Sequence, residues 1–196
     1  MARVREFNEN IALDRAIELF WEKGYAHTSM REVVKHTGVA HAGLYTAFGG
    51  KDDLFKAAIE KYEERIFKYL FGGLESSRAS LKDIKKLFAF ITSAKDDKYF
   101  RHGCFIANSA LEFSDAEHPI NEIFTRTFNR QVQSFKNALT NAQAQNQISS
   151  EVNIDEAAAS FAVLFYGCSS LTRLNAPSTA IQQAVTATFL SIQNQH

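Results

Sequence analysis

The two cysteines and six histidines are the residues of this sequence best suited to metal, redox or nucleophilic chemistry. Cys104 and Cys168 form no C-x-x-C pair, and the histidines form no H-E-x-x-H pair of the kind that binds zinc. His102 and Cys104 are two residues apart, a spacing that points them to different sides of a helix. We therefore expect no metal, no cofactor and no catalytic site, with a helical enzyme or adaptor as a distant alternative.

The segment FGGKDD, residues 48–53, superficially resembles a phosphate-binding loop. A G-x-x-x-x-G-K-[ST] loop that ends at Lys51 would need glycine in place of Tyr45 and serine or threonine in place of Asp52. Neither requirement is met, so the segment gives no support to nucleotide binding.

The composition fits a folded, neutral protein with a large apolar core. Of the 196 residues, 45% are hydrophobic, and the 22 basic and 22 acidic residues give a formal net charge of zero. This balance argues against a cationic nucleic-acid coat protein, although it permits a local basic patch. The sequence starts without an apolar leader, and no apolar run approaches the length of a membrane helix. We expect a cytoplasmic protein without a membrane partner.

The spacing of apolar residues predicts an all-α protein of about nine helices. Gly24 is expected to end the first helix, and Ser29 with Glu32 forms the S-x-x-E capping box that opens the second. Gly38 ends that short helix, and Pro119 stands at a first helical position. No strand-like alternation competes with this pattern.

Three short helices in the first fifty residues, with HTGV between the second and the third, predict a helix-turn-helix. The stretch from Phe20 to Phe55, FWEKGYAHTSMREVVKHTGVAHAGLYTAFGGKDDLF, closely resembles the DNA-binding signature of the TetR/AcrR family of bacterial repressors. The matching residues are Gly24, Tyr25, Thr28, Ser29, Gly38, Val39, Leu44, Tyr45, Phe48, Lys51 and Leu54. The resemblance implies a DNA-binding domain over residues 1–50 and a ligand-binding and dimerisation domain over residues 51–196, linked by the fourth helix.

Two kinds of DNA contact are implied by the resemblance. Thr28 and Ser29 open a helix, where hydroxyl and N–H groups can meet a phosphate, while Tyr45 and Lys51 offer a phenol and a point charge. The groove-facing positions of the family correspond here to His41, Ala42, Gly43 and Thr46.

The recognition helix departs from the common family pattern at Gly43, where serine or threonine is usual. The loss of that hydroxyl leaves His41 and Thr46 as the main candidate polar readers of bases, with the Ala42 methyl able to meet a thymine methyl. The departure concerns the operator sequence and leaves the DNA-binding role intact.

The segment RHGCFIANSALEF, residues 101–113, resembles the start of a core helix in one branch of the family. Some members of that branch sense oxidants or electrophiles through cysteine, and a thiol near a helix N-terminus can have a lowered pKa. Two roles stay open for Cys104, a buried small hydrophobe or a redox sensor, whereas Cys168 is expected to serve packing.

The resemblance also implies a ligand cavity in the C-terminal helices. The many aromatic residues of that region can line such a cavity or merely fill a core. The candidate ligand-binding residues are Phe67, Phe88, Cys104, Phe105, Asn108, Glu112, Phe124, Phe128, Phe165 and Tyr166. The implied ligand is a small apolar or aromatic inducer.

The last two helices have the composition of an interface. The segment from Ile154 to Leu174 is rich in alanine and apolar on more than one face, so we expect a second copy to cover it. A homodimer also suits DNA half-sites about one helical turn apart. The sequence thus predicts a homodimeric repressor that an inducer releases from double-stranded operator DNA; the alternative is a repressor gated by oxidation or electrophilic modification of Cys104.

Overall fold

The computed structural model describes residues 7–93, 100–113 and 118–193, and these residues form nine α-helices without any strand. The helices are α1 (Glu9–Lys23), α2 (Met30–Thr37), α3 (His41–Phe48), α4 (Lys51–Ile66), α5 (Leu81–Ser93), α6 (Phe105–Glu112), α7 (Pro119–Ala144), α8 (Ile154–Arg173) and α9 (Ser178–Ser191). Helix α4 continues through a π-helical segment, Phe67–Phe71, into a last turn, Gly72–Glu75, and a 3-10 turn, Phe100–His102, precedes α6. The prediction of an all-α fold with about nine helices is confirmed.

Residue contacts divide the chain into two compact units. Unit 1 comprises Met1–Glu64 and Phe105–Phe124, and unit 2 comprises Arg65–Cys104 and Thr125–His196. The divisions fall inside α4 and α7, because α6 packs with the first four helices. The domain boundary predicted after residue 50 separates a DNA-binding function from ligand binding and dimerisation. Packing does not test a division of functions, so this boundary stays a prediction.

Aromatic side chains from α1, α4 and α6 form the core of unit 1. The Phe20 and Phe55 rings lie 5.1 Å apart, and the Trp21 and Tyr62 rings 4.8 Å apart, both edge to face. Phe105 packs on Tyr62 at 5.5 Å, and its N–H donates to the Tyr62 hydroxyl at 3.3 Å. That hydroxyl satisfies a backbone donor in the first turn of α6, which would otherwise be buried without a partner.

The predicted capping box at the start of α2 is confirmed. Ser29 Oγ accepts from Glu32 N at 3.3 Å, and Glu32 Oε2 accepts from Ser29 N at 2.9 Å. Lys23 Nζ donates to Glu32 Oε1 at 2.7 Å. This hydrogen bond, with that from Ser29, lowers the pKa of Glu32 to about 2. The same carboxylate thus joins the end of α1 to the start of α2.

Phenylalanine rings also dominate the core of unit 2. Phe135 of α7 is fully buried, and its ring contacts those of Phe71, Phe88 and Phe161 at centroid distances of 5.6, 6.1 and 5.8 Å. Burial of aromatic side chains of this size contributes much of a domain's stability. Phe88, a candidate ligand residue, is 1% exposed within this cluster.

Polar contacts from α7 fix the end of the long α4 segment. Arg130 forms a two-pronged ion pair with Glu75, with Nε–Oε1 and Nη2–Oε2 distances of 2.7 and 3.0 Å, and its guanidinium lies 3.7 Å from the centre of the Phe67 ring. Asn137 Nδ2 donates to the carbonyl of Leu74 at 2.7 Å. These contacts satisfy a carbonyl at the helix end, where no helical N–H reaches.

The capping role of Ser29 can be measured directly. We expect Ser29→Ala to lower the free energy of unfolding by about 1 kcal/mol, the usual loss for an N-cap hydroxyl. Urea denaturation would measure it. Ser29→Asn is the matched control, since asparagine caps as well as serine, and it should stay close to the wild type. Equal stability of the alanine and asparagine variants would contradict the capping role.

The Glu32 carboxylate predicts a pH dependence of stability. Its pKa falls from the ordinary 4.5 to about 2 on folding. The stabilisation is therefore fully present above pH 4.5 and disappears as the pH falls toward 2. The melting temperature of Glu32→Gln should lie below that of the wild type by a constant amount above pH 5, and the gap should close between pH 4.5 and 2. A gap that does not change across this window would exclude the carboxylate as its cause.

Candidate nucleic-acid interface

Helix α3 presents a narrow exposed face. His41, Ala42, Tyr45 and Thr46 are exposed, whereas Leu44 on the opposite side is 1% exposed. The His41 and Tyr45 rings are four residues apart and lie against each other, with centroids separated by 4.4 Å. The structure thus brings together four of the residues predicted to contact DNA.

Thr46 has a hydroxyl whose proton is already engaged. Its Oγ1 donates to the carbonyl of Ala42 at 2.8 Å, one turn earlier. The lone pairs of the oxygen remain able to accept. In a major groove such an oxygen suits the amino groups of adenine or cytosine.

The N-terminus of α3 has no capping side chain among the described residues. Ala40 occupies the N-cap position and has no side-chain acceptor, and the first intrahelical bonds begin with the N–H groups of Gly43 and Leu44. The N–H groups of His41 and Ala42 precede these bonds. Exposed N–H groups at a helix start, together with the helix dipole, favour a phosphate oxygen.

Gly43 lies on the packed side of α3 and is buried. A Cβ added there would stand 3.3 Å from Phe7 Cε1 and 3.3 Å from Val39 Cγ1, closer than most side-chain contacts. The absence of a side chain therefore lets Phe7 lie against the helix. Its predicted DNA contact stays a prediction, which this packing does not support.

The turn between α2 and α3 is fixed by backbone geometry and two side chains. Gly38 has a φ of +73°, a left-handed conformation that favours glycine. Arg15 Nη1 donates to the carbonyl of Thr37 at 2.8 Å, and Thr37 Oγ1 accepts from the N–H of Val39 at 3.2 Å. The start of α3 is held on both sides of Gly38.

Thr28 and Ser29, both predicted phosphate contacts, differ in exposure. Ser29 is exposed at the start of α2, whereas Thr28 is 1% exposed and its hydroxyl donates to the carbonyl of Gly24 at 2.7 Å. The structure gives Thr28 a role in closing the loop between α1 and α2. The two phosphate contacts stay predictions.

Lys51 at the start of α4 is held over an aromatic ring. Its Nζ lies 3.9 Å from the centre of the Tyr25 ring, an attractive arrangement of a cation on a π face. The Tyr25 hydroxyl donates to Asp52, and this hydrogen bond raises the pKa of Tyr25 to about 12. The sequence pointed to Lys51 but not to the ring and carboxylate around it, since Tyr25 and Asp52 are 27 residues apart.

Glu112, a candidate ligand residue, points instead to the helix-turn-helix within unit 1. Its Oε2 accepts from the N–H of Ala26 at 3.1 Å, in the loop that joins α1 to α2. Gly24 has a φ of +84°, and a Cβ there would collide with the Glu112 carboxylate. Glu112 thus holds the loop between α1 and α2 through Ala26, although the two residues are 86 apart in the chain. No local sequence pattern could reveal such a contact.

The other candidate ligand residues separate between the two units. Phe105, Asn108 and Phe124 belong to unit 1. In unit 2 the Tyr166 ring contacts Phe128 at 5.8 Å and Phe165 at 5.6 Å. Phe67 and Phe88 join these rings only through neighbours: Phe67 contacts Phe71 at 5.6 Å, and Phe88 contacts Phe135 at 6.1 Å. The structure thus brings together only part of the predicted set.

Both thiols are shielded from solvent. Cys104, just before α6, is 3% exposed, and Cys168 within α8 is 2% exposed; neither forms a disulfide. Burial raises the pKa of Cys168 to about 11, so its thiolate is scarce at neutral pH. For Cys168 the burial agrees with the predicted packing role.

In the part of the chain that the structure describes, no helix is both long and apolar enough to cross a membrane. The same residues contain no group of three or more histidine, cysteine or acidic side chains placed to bind a metal ion.

Two known families match this chain. Residues 12–58 match the family described as bacterial regulatory proteins, tetR family. Residues 80–188 match the family described as tetracyclin repressor-like, C-terminal domain, which covers more than half of the chain.

Individual proteins agree with the family matches. The chain is 31% identical to the HTH-type transcriptional regulator YezE of Bacillus subtilis, over 77% of this chain and 78% of that protein. It is 27% identical to the HTH-type transcriptional repressor ComR of Escherichia coli, over 95% of this chain and 90% of that protein. Among solved structures, a cysteine mutant of the TetR family regulator CifR bound to 26-bp operator DNA has a TM-score of 0.81 at 21% identity, covering 97% of this chain and 100% of that one.

These matches confirm the resemblance and the expectation of a regulator in place of an enzyme: the chain belongs to the TetR family of bacterial transcriptional regulators.

Proposed function

We propose that this protein is a homodimeric repressor that binds operator DNA through α3 and is released by a small apolar inducer. The observation that carries the proposal is the exposed, uncapped N-terminal face of α3, held by the turn at Gly38. The repressor named ComR and the operator complex of CifR support this choice of function.

Two classes of DNA contact follow from the geometry. His41 and Thr46 stand on the exposed side of α3, where a helix in the major groove meets base edges. The free N–H groups at the helix start, the Ser29 hydroxyl and Lys51 suit phosphates, which fix the register without reading sequence. Base reading by so few polar groups makes each of them important for specificity.

An exposed apolar stripe on α8 supports dimerisation through the last two helices. Ala159, Val163, Gly167 and Leu171 recur every fourth residue and are all exposed, with Val163 at 62%. A Cβ added at Gly167 would meet nothing within 4 Å, so its open surface can receive a neighbouring helix. Helix α9 adds Leu190, which is 60% exposed. Monomers rarely leave such a stripe open to water.

Unit 2 supports binding of an apolar inducer. The rings of Phe128, Phe165 and Tyr166 lie together there, and apolar walls with few polar groups are typical of small-molecule sites. Release from DNA requires that the inducer bind more tightly to a state of the dimer that fits the operator poorly.

Operator binding should separate base readers from phosphate contacts. In gel shifts with the DNA upstream of its own gene, His41→Ala should weaken specific binding by roughly 10- to 100-fold while changing non-specific binding little. Lys51→Ala should weaken both and lower the salt slope by about one. The control is Lys82→Ala, an exposed lysine of unit 2 with the same charge change. Absence of specific, salt-sensitive binding by the wild type would contradict the regulator.

Cys104→Ser tests the alternative in which modification of a cysteine releases DNA. Because both thiols are buried, we expect N-ethylmaleimide to leave native protein unlabelled over an hour at pH 7.5 and to label both cysteines in urea, as read by mass spectrometry. Operator binding by the wild type and by Cys104→Ser should then survive the reagent equally. Rapid labelling of Cys104 with loss of operator binding only in the wild type would establish the cysteine sensor instead.

A further inference from the structure

Gln131 is a buried polar residue of α7 that stands between Phe128 and Phe135. Its side chain is fully buried, and among the described residues neither its Oε1 nor its Nε2 has a hydrogen-bond partner. A buried amide left without partners lowers stability, and native proteins rarely keep one without a reason.

Three buried hydroxyls of unit 2 are satisfied within their own helices, unlike the Gln131 amide. Ser134, Ser169 and Thr172 each donate to a backbone carbonyl four residues earlier on their own helix, all at 2.9 Å. Short side chains can reach their own backbone in this way. The Gln131 amide makes no such bond to its own helix, so its two polar atoms need a partner from elsewhere.

A chain of aromatic contacts links the residues on either side of Gln131. Phe128, Gln131 and Phe135 share one face of α7 by their three- and four-residue spacing. From Phe128 the ring contacts run to Tyr166 at 5.8 Å, to Phe165 at 5.6 Å, to Phe71 at 5.1 Å and back to Phe135 at 5.6 Å. The amide and these five rings form what we call the Gln131 cluster.

The backbone beside the Gln131 cluster is irregular. Phe71 ends the π-helical segment Phe67–Phe71, in which the usual helical bonding is widened. Such segments are uncommon and are frequent at functional sites. Phe71, one of the five rings of the cluster, is therefore placed by a local departure from α-helical geometry.

We propose that the Gln131 cluster binds the inducer, and that Gln131 is its polar anchor. A planar amide, with an NH2 donor group beside a carbonyl acceptor, pairs with a ligand group that offers an acceptor beside a donor, as in a carboxamide or lactam. The five rings favour a flat apolar body attached to that group. The ligand is neutral, since none of the buried side chains described in unit 2 carries a formal charge and a bare ion there would be costly.

This inference rests on the proposed function only in naming the ligand as the inducer. Binding is measured without DNA, so failure of the probe to bind leaves operator binding untouched. Failure of operator binding likewise leaves the result with the probe untouched.

Benzamide is the probe, with benzoate as its charged counterpart of similar size. Calorimetry with the full chain at pH 7.5 should show saturable benzamide binding and binding of benzoate at least about tenfold weaker. Gln131→Met, which keeps the length of the side chain and removes both polar atoms, should weaken benzamide binding by at least about tenfold through loss of two hydrogen bonds. The matched control Gln133→Met, at an exposed position of the same helix, should bind benzamide like the wild type.

Stability provides the second measurement. Replacing an unpartnered buried amide by an apolar group of similar shape should leave the melting temperature of Gln131→Met equal to or above that of the wild type; Gln131→Leu repeats the test should methionine fold poorly. A lower melting temperature in both variants would show that a partner within the protein, or an ordered water, already satisfies the amide, and would overturn the proposal. Absence of benzamide binding by the wild type, or equal binding by Gln131→Met, would overturn it as well.

Discussion

The turn at Gly38 is the constraint on which the DNA-binding part of this protein depends. Its left-handed backbone ends α2 and starts α3 within three residues, and Arg15 of α1 fixes the carbonyl just before it. Because Leu44 and Gly43 then face inward, the exposed residues of α3 all lie on one side. A residue with a Cβ at position 38 would strain that geometry. The chemistry of the reading face therefore depends on a position that touches no base.

Local patterns allowed much of unit 1 to be predicted, and distant contacts account for what was missed. The capping box of Ser29 and Glu32 and the stop at Gly24 depend on residues within one turn, so the sequence shows them directly. The contacts of Glu112 with Ala26 and of Tyr25 with Asp52 join residues far apart in the chain. Spacing along one helix carries no information about such pairs. The same reason explains why α6 was not expected beside the helix-turn-helix.

In unit 2 the sequence shows many aromatic residues, but it does not show which of them belong to the core and which to the candidate site. Phe88 and Phe128 are equivalent as sequence letters, yet Phe88 packs among rings of the core and Phe128 is half-buried beside Tyr166. Gln131 was missed because a stripe is found by its apolar members. The available signal was a glutamine at an inward position between Phe128 and Phe135. Polar residues that interrupt a buried stripe carry more functional information than the stripe itself.

The contacts of α6 suggest how a ligand could act on the helix-turn-helix. It lies within residues 80–188, which match the C-terminal domain of the family, yet it packs in the same compact unit as the helix-turn-helix. Phe105 donates to Tyr62 at one end of α6, and Glu112 accepts from Ala26 at the other. A displacement of α6 relative to α4 or to the loop between α1 and α2 would stretch one of these bonds. A ligand that binds more tightly when α6 is shifted favours that position of α6 by the difference between its two affinities. The shift of α6 would then change the placement of α2 and, through the turn at Gly38, of α3.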